Sequence, residues 1–152
     1  MQHTFLAALT ALGLYALGIG WMTQQVSYPL FSHVPEGQFV AYHRNYSRRI
    51  PIVIIVPGFT YFLASMAFVA LRPDPVPLWL AAVVGLGGLA SLVATVGFAI
   101  PCHQRLQREG SSPTVLRRLR NADRVRAYGA TINAVLLLWA VTLAFQPVVS
   151  SG

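Results

Sequence analysis

PEGQFVAYHRNYSRRI, residues 35–50, runs directly into PIVIIVPGFTYFLASMAFVAL, residues 51–71, and the reading of this junction decides the fold. Residues 50–71 contain no charged side chain and are long enough to carry a helix across a hydrocarbon core of ~30 Å. The residues just before them hold His43, three arginines (Arg44, Arg48, Arg49) and two tyrosines (Tyr42, Tyr46). Phe39, His43, Tyr46 and Ile50 recur at helical spacing, so that side is expected to be buried, with Arg44 and Ser47 off it. Pro35 suits the first turn of this helix, and Glu36 there complements its dipole.

Working outward, three more uncharged runs of similar length appear, at residues 4–23, 78–100 and 127–145. The first lacks the basic lead and small-residue cleavage site of a signal peptide, so it is read as a retained span with Trp21 at its far interface. Between it and residue 35 lies a polar and aromatic connector, and Tyr28-Pro29 predicts that the helix ends or bends there. Pro51 and Pro57 predict a kink early in the second span. RPDPVP, residues 72–77, is a proline-stiffened turn. In the third span Gly87, Ser91 and Thr95 recur every four residues, a ridge of small side chains that lets another helix approach, and Gly85 and Gly88 fit tight packing as well. Residues 101–126 form a second basic segment, in which Ser112-Pro113 reads as an N-cap followed by proline at the first helical position. A helix starting there runs through Arg126 into the fourth span, which Gln146-Pro147 ends.

Composition agrees. The 152 residues are 55% hydrophobic and 10% charged, against roughly 25% charged in an ordinary soluble domain. Mean hydropathy is +0.58. The net charge of +7 comes from eleven arginines and no lysine. They cluster between spans rather than on one face, which excludes nucleic acid as the expected partner. Cys102 is the single cysteine and forms no intramolecular disulfide. The predicted fold is therefore all-α: one domain over residues 1–152, a bundle of four transmembrane helices in a bacterial inner (cytoplasmic) membrane. Ten arginines fall in the first and third connectors and only Arg72 in the second. The positive-inside rule then places the basic connectors in the cytoplasm and both termini outside.

Candidate chemistry is sparse. His43 precedes the second span and His103 follows the third, so an antiparallel bundle puts them at similar depth. Two imidazoles from different helices suit haem or copper, with Cys102 as a further soft ligand. The residue spacing provides no metal-binding motif, and no metal or cofactor is predicted from it. His3 and His33 read as surface residues. Arg44, Arg48, Arg105, Arg117 and Arg118 are candidates for contact with anionic lipid or an acidic partner surface. Asp123 is expected to pair locally with Arg120 or Arg124, and Asn133 to join helices by a hydrogen bond. No acidic residue lies inside a predicted span, which argues against a proton-coupled transporter.

VSYPLF at residues 26–31, Phe39-x-x-Tyr42-His43, Ser47-Arg48-Arg49-Ile50 with Pro57 beyond, IPCHQRL at 100–106 and Asn121-x-x-Arg124 together resemble the anthrone-oxygenase-like family of small four-helix bacterial membrane proteins. That resemblance implies the shared bundle. It also implies that His43, Arg49, His103, Asn121 and Arg124 line a cytoplasmic-side pocket for an aromatic polyketide. Cys102-His103 stands where the oxygenases are expected to carry a proline-led polar pair ending in asparagine.

Three functions are expected to compete, of which a small-molecule carrier is the least favoured because no charged residue lies inside a predicted span. The first is a non-catalytic accessory or structural subunit of a larger membrane complex of respiratory or photosynthetic type, with other integral membrane subunits as partners. The alternative is a membrane-bound oxygenase or haem or copper redox protein using His43 and His103. The absence of a catalytic signature and the small-residue faces favour the first.

Overall fold

In the computed structural model, which describes residues 1–146, four long helices form an antiparallel bundle. They are α1 (Gln2–Phe31), α2 (Glu36–Leu71), α3 (Leu78–Glu109) and α4 (Pro113–Ala144), and each is long and apolar enough to cross a membrane. No strand occurs among the described residues. The predicted stop at Pro147 lies outside the described residues; Phe145 and Gln146 have already left the helix.

The helices are longer than the apolar runs that suggested them. At 30 to 36 residues and ~1.5 Å per residue they reach about 45–54 Å, against a hydrocarbon core of ~30 Å. The excess lies at the end of α1, the start of α2, the end of α3 and the start of α4. In an antiparallel bundle these are one and the same end. The molecule thus has a membrane half and a helical head built from the same four rods.

Of the two outcomes expected at Tyr28-Pro29, an end is not what occurs: α1 continues to Phe31, and α3 likewise runs on through Pro101 to Glu109. Each helix instead widens just before its proline. π turns occupy Thr23–Ser27 in α1, Pro51–Ile55 in α2 and Ala94–Ala99 in α3. Pro29, Pro57 and Pro101 each follow two residues after such a turn. A proline ring strikes the carbonyl four residues back and offers that carbonyl no N–H. Widening the turn relieves the clash without breaking the rod. The Val53 carbonyl, four residues before Pro57, takes a hydrogen bond from the Tyr15 hydroxyl of α1 at 2.9 Å.

The membrane half packs Leu6, Leu9, Phe68, Leu80, Val84 and Leu137 at its centre. There α3 approaches α2 so closely that a Cβ on Gly88 would strike Ser65 Oγ, and one on Gly85 would lie 2.7 Å from Met66 Cε. Asn133 of α4 ties the half together: its Nδ2 donates to Tyr61 Oη of α2 at 2.8 Å and to the Val84 carbonyl of α3 at 3.0 Å. The head has a core of its own, made of Phe31, Phe39, Leu106, Leu116 and Leu119. At the far end His3 approaches the Ala144 carbonyl at 3.2 Å, fixing the start of α1 against the end of α4.

Candidate functional site

His43 is fully buried because the stripe Phe39, His43, Tyr46 is the inward face of α2 in the head. His103 comes from the neighbouring helix, two residues past Pro101 on α3. The rings stack with centroids 5.1 Å apart and planes 18° from parallel. His103 Nδ1 and His43 Nε2 are 3.1 Å apart, a hydrogen bond. The second nitrogen of His103, Nε2, lies 3.5 Å from the Tyr28 hydroxyl of α1. Phe39 stacks on His43, Phe31 meets it edge-on, and Tyr46 lies over both imidazoles.

Proton counting restricts how this cluster is wired. Of the four imidazole nitrogens, two face each other, one faces Tyr28 and the last, His43 Nδ1, is buried without a partner. An orphaned lone pair is tolerated better than an orphaned N–H. This favours protons on His43 Nε2 and His103 Nε2, with Tyr28 accepting from His103. Both residues lie outside the apolar spans, at 50–71 and 78–100. Burial lowers the His43 pKa to about 4. Burial, helped by His43 and then Arg126, lowers that of His103 to about 3. The empty pair is therefore neutral at pH 7.

Beside it lies a buried ion pair. Asp123, fully enclosed, accepts a hydrogen bond from Thr23 Oγ1 of α1 at 2.9 Å and faces Arg126 Nη1 at 3.5 Å. Burial raises its pKa to about 6 against the pull of Arg126 and Thr23. The local pairing expected with Arg120 or Arg124 is thus corrected to Arg126. Arg120 and Arg126 each lie three residues from Asp123 and so near its face, and it is Arg126 that pairs, whereas Arg124 sits ~100° round. Arg126 also lies beside the Tyr28 hydroxyl. Thr23 and Tyr28 of α1, His43 of α2, His103 of α3, and Asp123 and Arg126 of α4 form one buried polar chain, to which every helix contributes.

This chain borders empty space. A cavity of about 240 Å³ is lined by Tyr28, Ser47, Ile54, Thr95, His103 and Arg126, among others. A smaller one of about 110 Å³ reaches into the membrane half, past Ser91 and Gly87 to Tyr61 and Asn133. They share Ile54, Ile55, Thr95, Ile100 and Arg126 as walls, so Arg126 faces both. The walls are otherwise mostly apolar. Two of the π turns, Pro51–Ile55 and Ala94–Ala99, supply wall residues, as widened turns do at many functional sites.

Among the residues implied by the family resemblance, the structure brings His43 and His103 together in the buried chain and leaves Arg49, Asn121 and Arg124 outside it. Arg49 lines a separate groove between α1 and α2 and donates to the Asn45 carbonyl at 3.2 Å. Asn121 and Arg124 are exposed on another side of α4, 3.4 Å from each other. With its amide oxygen toward Arg124, Gln24 accepts from Arg124 Nε and donates to the Arg120 carbonyl, each at 3.2 Å. Arg44, Arg48 and Arg117 are exposed. Arg105 binds Glu109 at 2.9 Å and lines, with Arg118, an outer groove between α3 and α4. Of the small-residue ridge, Gly87 abuts Asn133, while Ser91 and Thr95 line the cavity. Tyr28, Asp123 and Arg126 were not expected as site residues. Their sequence signal is thin: Asp123 lies four residues before a predicted span, with an arginine three positions on.

The haem or copper ligand set does not fit this arrangement. The facing nitrogens of His43 and His103 are engaged with each other, and Cys102 lines the outer groove rather than the cavity. No group of three His, Cys, Asp or Glu side chains suited to a metal ion occurs among the described residues. Comparison with models of known protein families, with characterised proteins and with solved structures returns no match to this chain.

Proposed function

We propose that this protein binds a planar, weakly acidic aromatic molecule drawn from the bilayer and removes a proton from it at the His43–His103 pair. The carrying observation is the pair itself: two stacked imidazoles at hydrogen-bonding distance, with His103 on the wall of a mostly apolar cavity that Arg126 also faces. To act as the base, His103 takes the other tautomer, its Nδ1–H donated to His43 Nε2 and its Nε2 lone pair free beside Tyr28; before a substrate is bound, a depressed imidazole is a weak base. A substrate anion forming beside it reverses the balance, because an adjacent negative charge raises the imidazole pKa. Arg126 and the Tyr28 hydroxyl are placed to hold that anion.

For an anthrone-type substrate the overall change is oxygenation of a ring CH2. Deprotonation makes an electron-rich anion that combines with O2; one oxygen atom becomes the new carbonyl and the other leaves as water with the two hydrogens. This proposal assigns the head to the cytoplasmic side of a bacterial inner membrane, with its arginines facing inward and both termini outside. The small-residue faces suit a non-catalytic subunit too, and the buried polar chain is what weighs against that reading.

The test is conversion of anthrone to anthraquinone by the purified, detergent-solubilised protein, followed by absorbance. Loss of turnover in His43→Ala and His103→Ala, with folding retained, is the expected result. Absence of turnover in the wild type, together with co-migration with a larger complex on a native gel, would return the protein to the accessory-subunit reading.

A further inference from the structure

We propose that the outer groove between α3 and α4 is a site for one anionic phospholipid, with an acyl chain along its apolar floor and the phosphate between Arg105 and Arg118. The groove has a volume of about 860 Å³ and lies on the opposite face of α3 from His103. Leu86, Leu89, Val93 and Gly97 follow one another at helical spacing along it. From Leu86 to Gly97 is about 16 Å of helix, roughly half of a ~30 Å hydrocarbon core and so the depth of one leaflet. Beyond Phe98 the lining turns polar and positive, with Arg105 from α3 and Arg118 from α4. Both arginines act on the Cys102 thiol at that end, pulling against the burial that raises it. Arg118 has no ion-pair partner among the described residues, and Arg105 has only its exposed neighbour Glu109.

Charge complementarity identifies the occupant. A long apolar trough closed by two guanidinium groups at headgroup depth matches a chain attached to a phosphate. A zwitterionic lipid carries a compensating cation and matches less well. Nothing in this inference depends on the imidazole pair.

Native mass spectrometry of the intact protein, given phosphatidylglycerol and phosphatidylcholine of identical chains, tests it. Preferential retention of phosphatidylglycerol is expected, weakened about fivefold by Arg118→Ala and again by adding Arg105→Ala. Arg108→Ala, exposed and outside the groove lining, should change nothing. Gly97→Leu fills the floor, and because nothing lies within 4 Å of a Cβ at that position, the variant should fold, as a thermal melt will check. It should lose both lipids. Equal retention of the two lipids, an effect of Arg108→Ala equal to that of Arg118→Ala, or undiminished binding by Gly97→Leu would each overturn the site. So would a second copy or another membrane protein found covering the groove.

Discussion

Asp123 illustrates how much one side chain in this bundle depends on its partners. It is enclosed on all sides and held by Thr23 and Arg126. Removing the carboxylate leaves Arg126, only 9% exposed, as an unpaired buried cation. Asp123→Ala is therefore expected to lower stability by about 3–5 kcal/mol. Asp123→Leu combined with Arg126→Met, an apolar pair of similar volume, should recover most of that loss in a detergent melt. A double variant no better than the single one would show that the ion pair is not what the site depends on. The imidazoles predict a pH dependence. Their folded values, about 4 and about 3, lie below the ordinary ~6.5. Their contribution is complete above pH ~6.5 and declines as pH falls toward 4 and 3, because the unfolded chain takes up protons first. Asp123, raised to about 6, acts in the opposite sense, since the folded chain takes up its proton first. Two histidines oppose one aspartate, so the melting temperature should fall between pH 7 and pH 4.5. That fall should be shallower in a His43→Asn, His103→Asn variant, and an unchanged slope would remove the pair from the account.

At the scale of elements, the close contacts are local and directional. Gly88 lets α3 rest on Ser65 of α2, whereas Gly58, on the same α2, has open space where a Cβ would go. Gly88→Val should lower stability by about 1–3 kcal/mol through overpacking, while Gly58→Ala should change the thermal midpoint little. Similar shifts from both substitutions would refute the assignment of the α2–α3 contact to Gly88. The four spans were legible in the sequence because an uncharged run of about twenty residues admits few other readings. The continuation of α1 and α3 into the head was not. Pro29 and Pro101 carry the local signal of a boundary, and only the tertiary bundle supports the widened turns that let the helices pass through them. The site was half legible for a related reason. Antiparallel topology sets His43 and His103 at one depth, but which neighbours close around them depends on helix rotation. Rotation is also what turned Asp123 and Arg126 inward toward Thr23 and Tyr28 of α1.

The whole molecule divides at the level of those turns, and its proposed orientation can be checked without any activity. With Cys102 replaced by serine, a cysteine introduced at Asp74 lies in the turn joining α2 to α3, and one at Ser111 lies in the connector joining α3 to α4. A membrane-impermeant maleimide applied to spheroplasts should label the first, and the second only after permeabilisation. The reverse pattern would invert the molecule and place the arginine clusters outside.

Three of the four helices also carry a shift of phase where the head begins. An α-helix turns ~100° per residue, and a π turn accommodates about one more residue per turn than an α turn. The azimuth of everything beyond it is thus set by a count of residues. Deleting one residue from Pro51–Ile55 would leave α2 helical and its span apolar, yet swing His43 about a quarter-turn away from His103. The head and the membrane half behave like two dials on one shaft: each can accept substitutions of its own, but the number of residues between them is fixed.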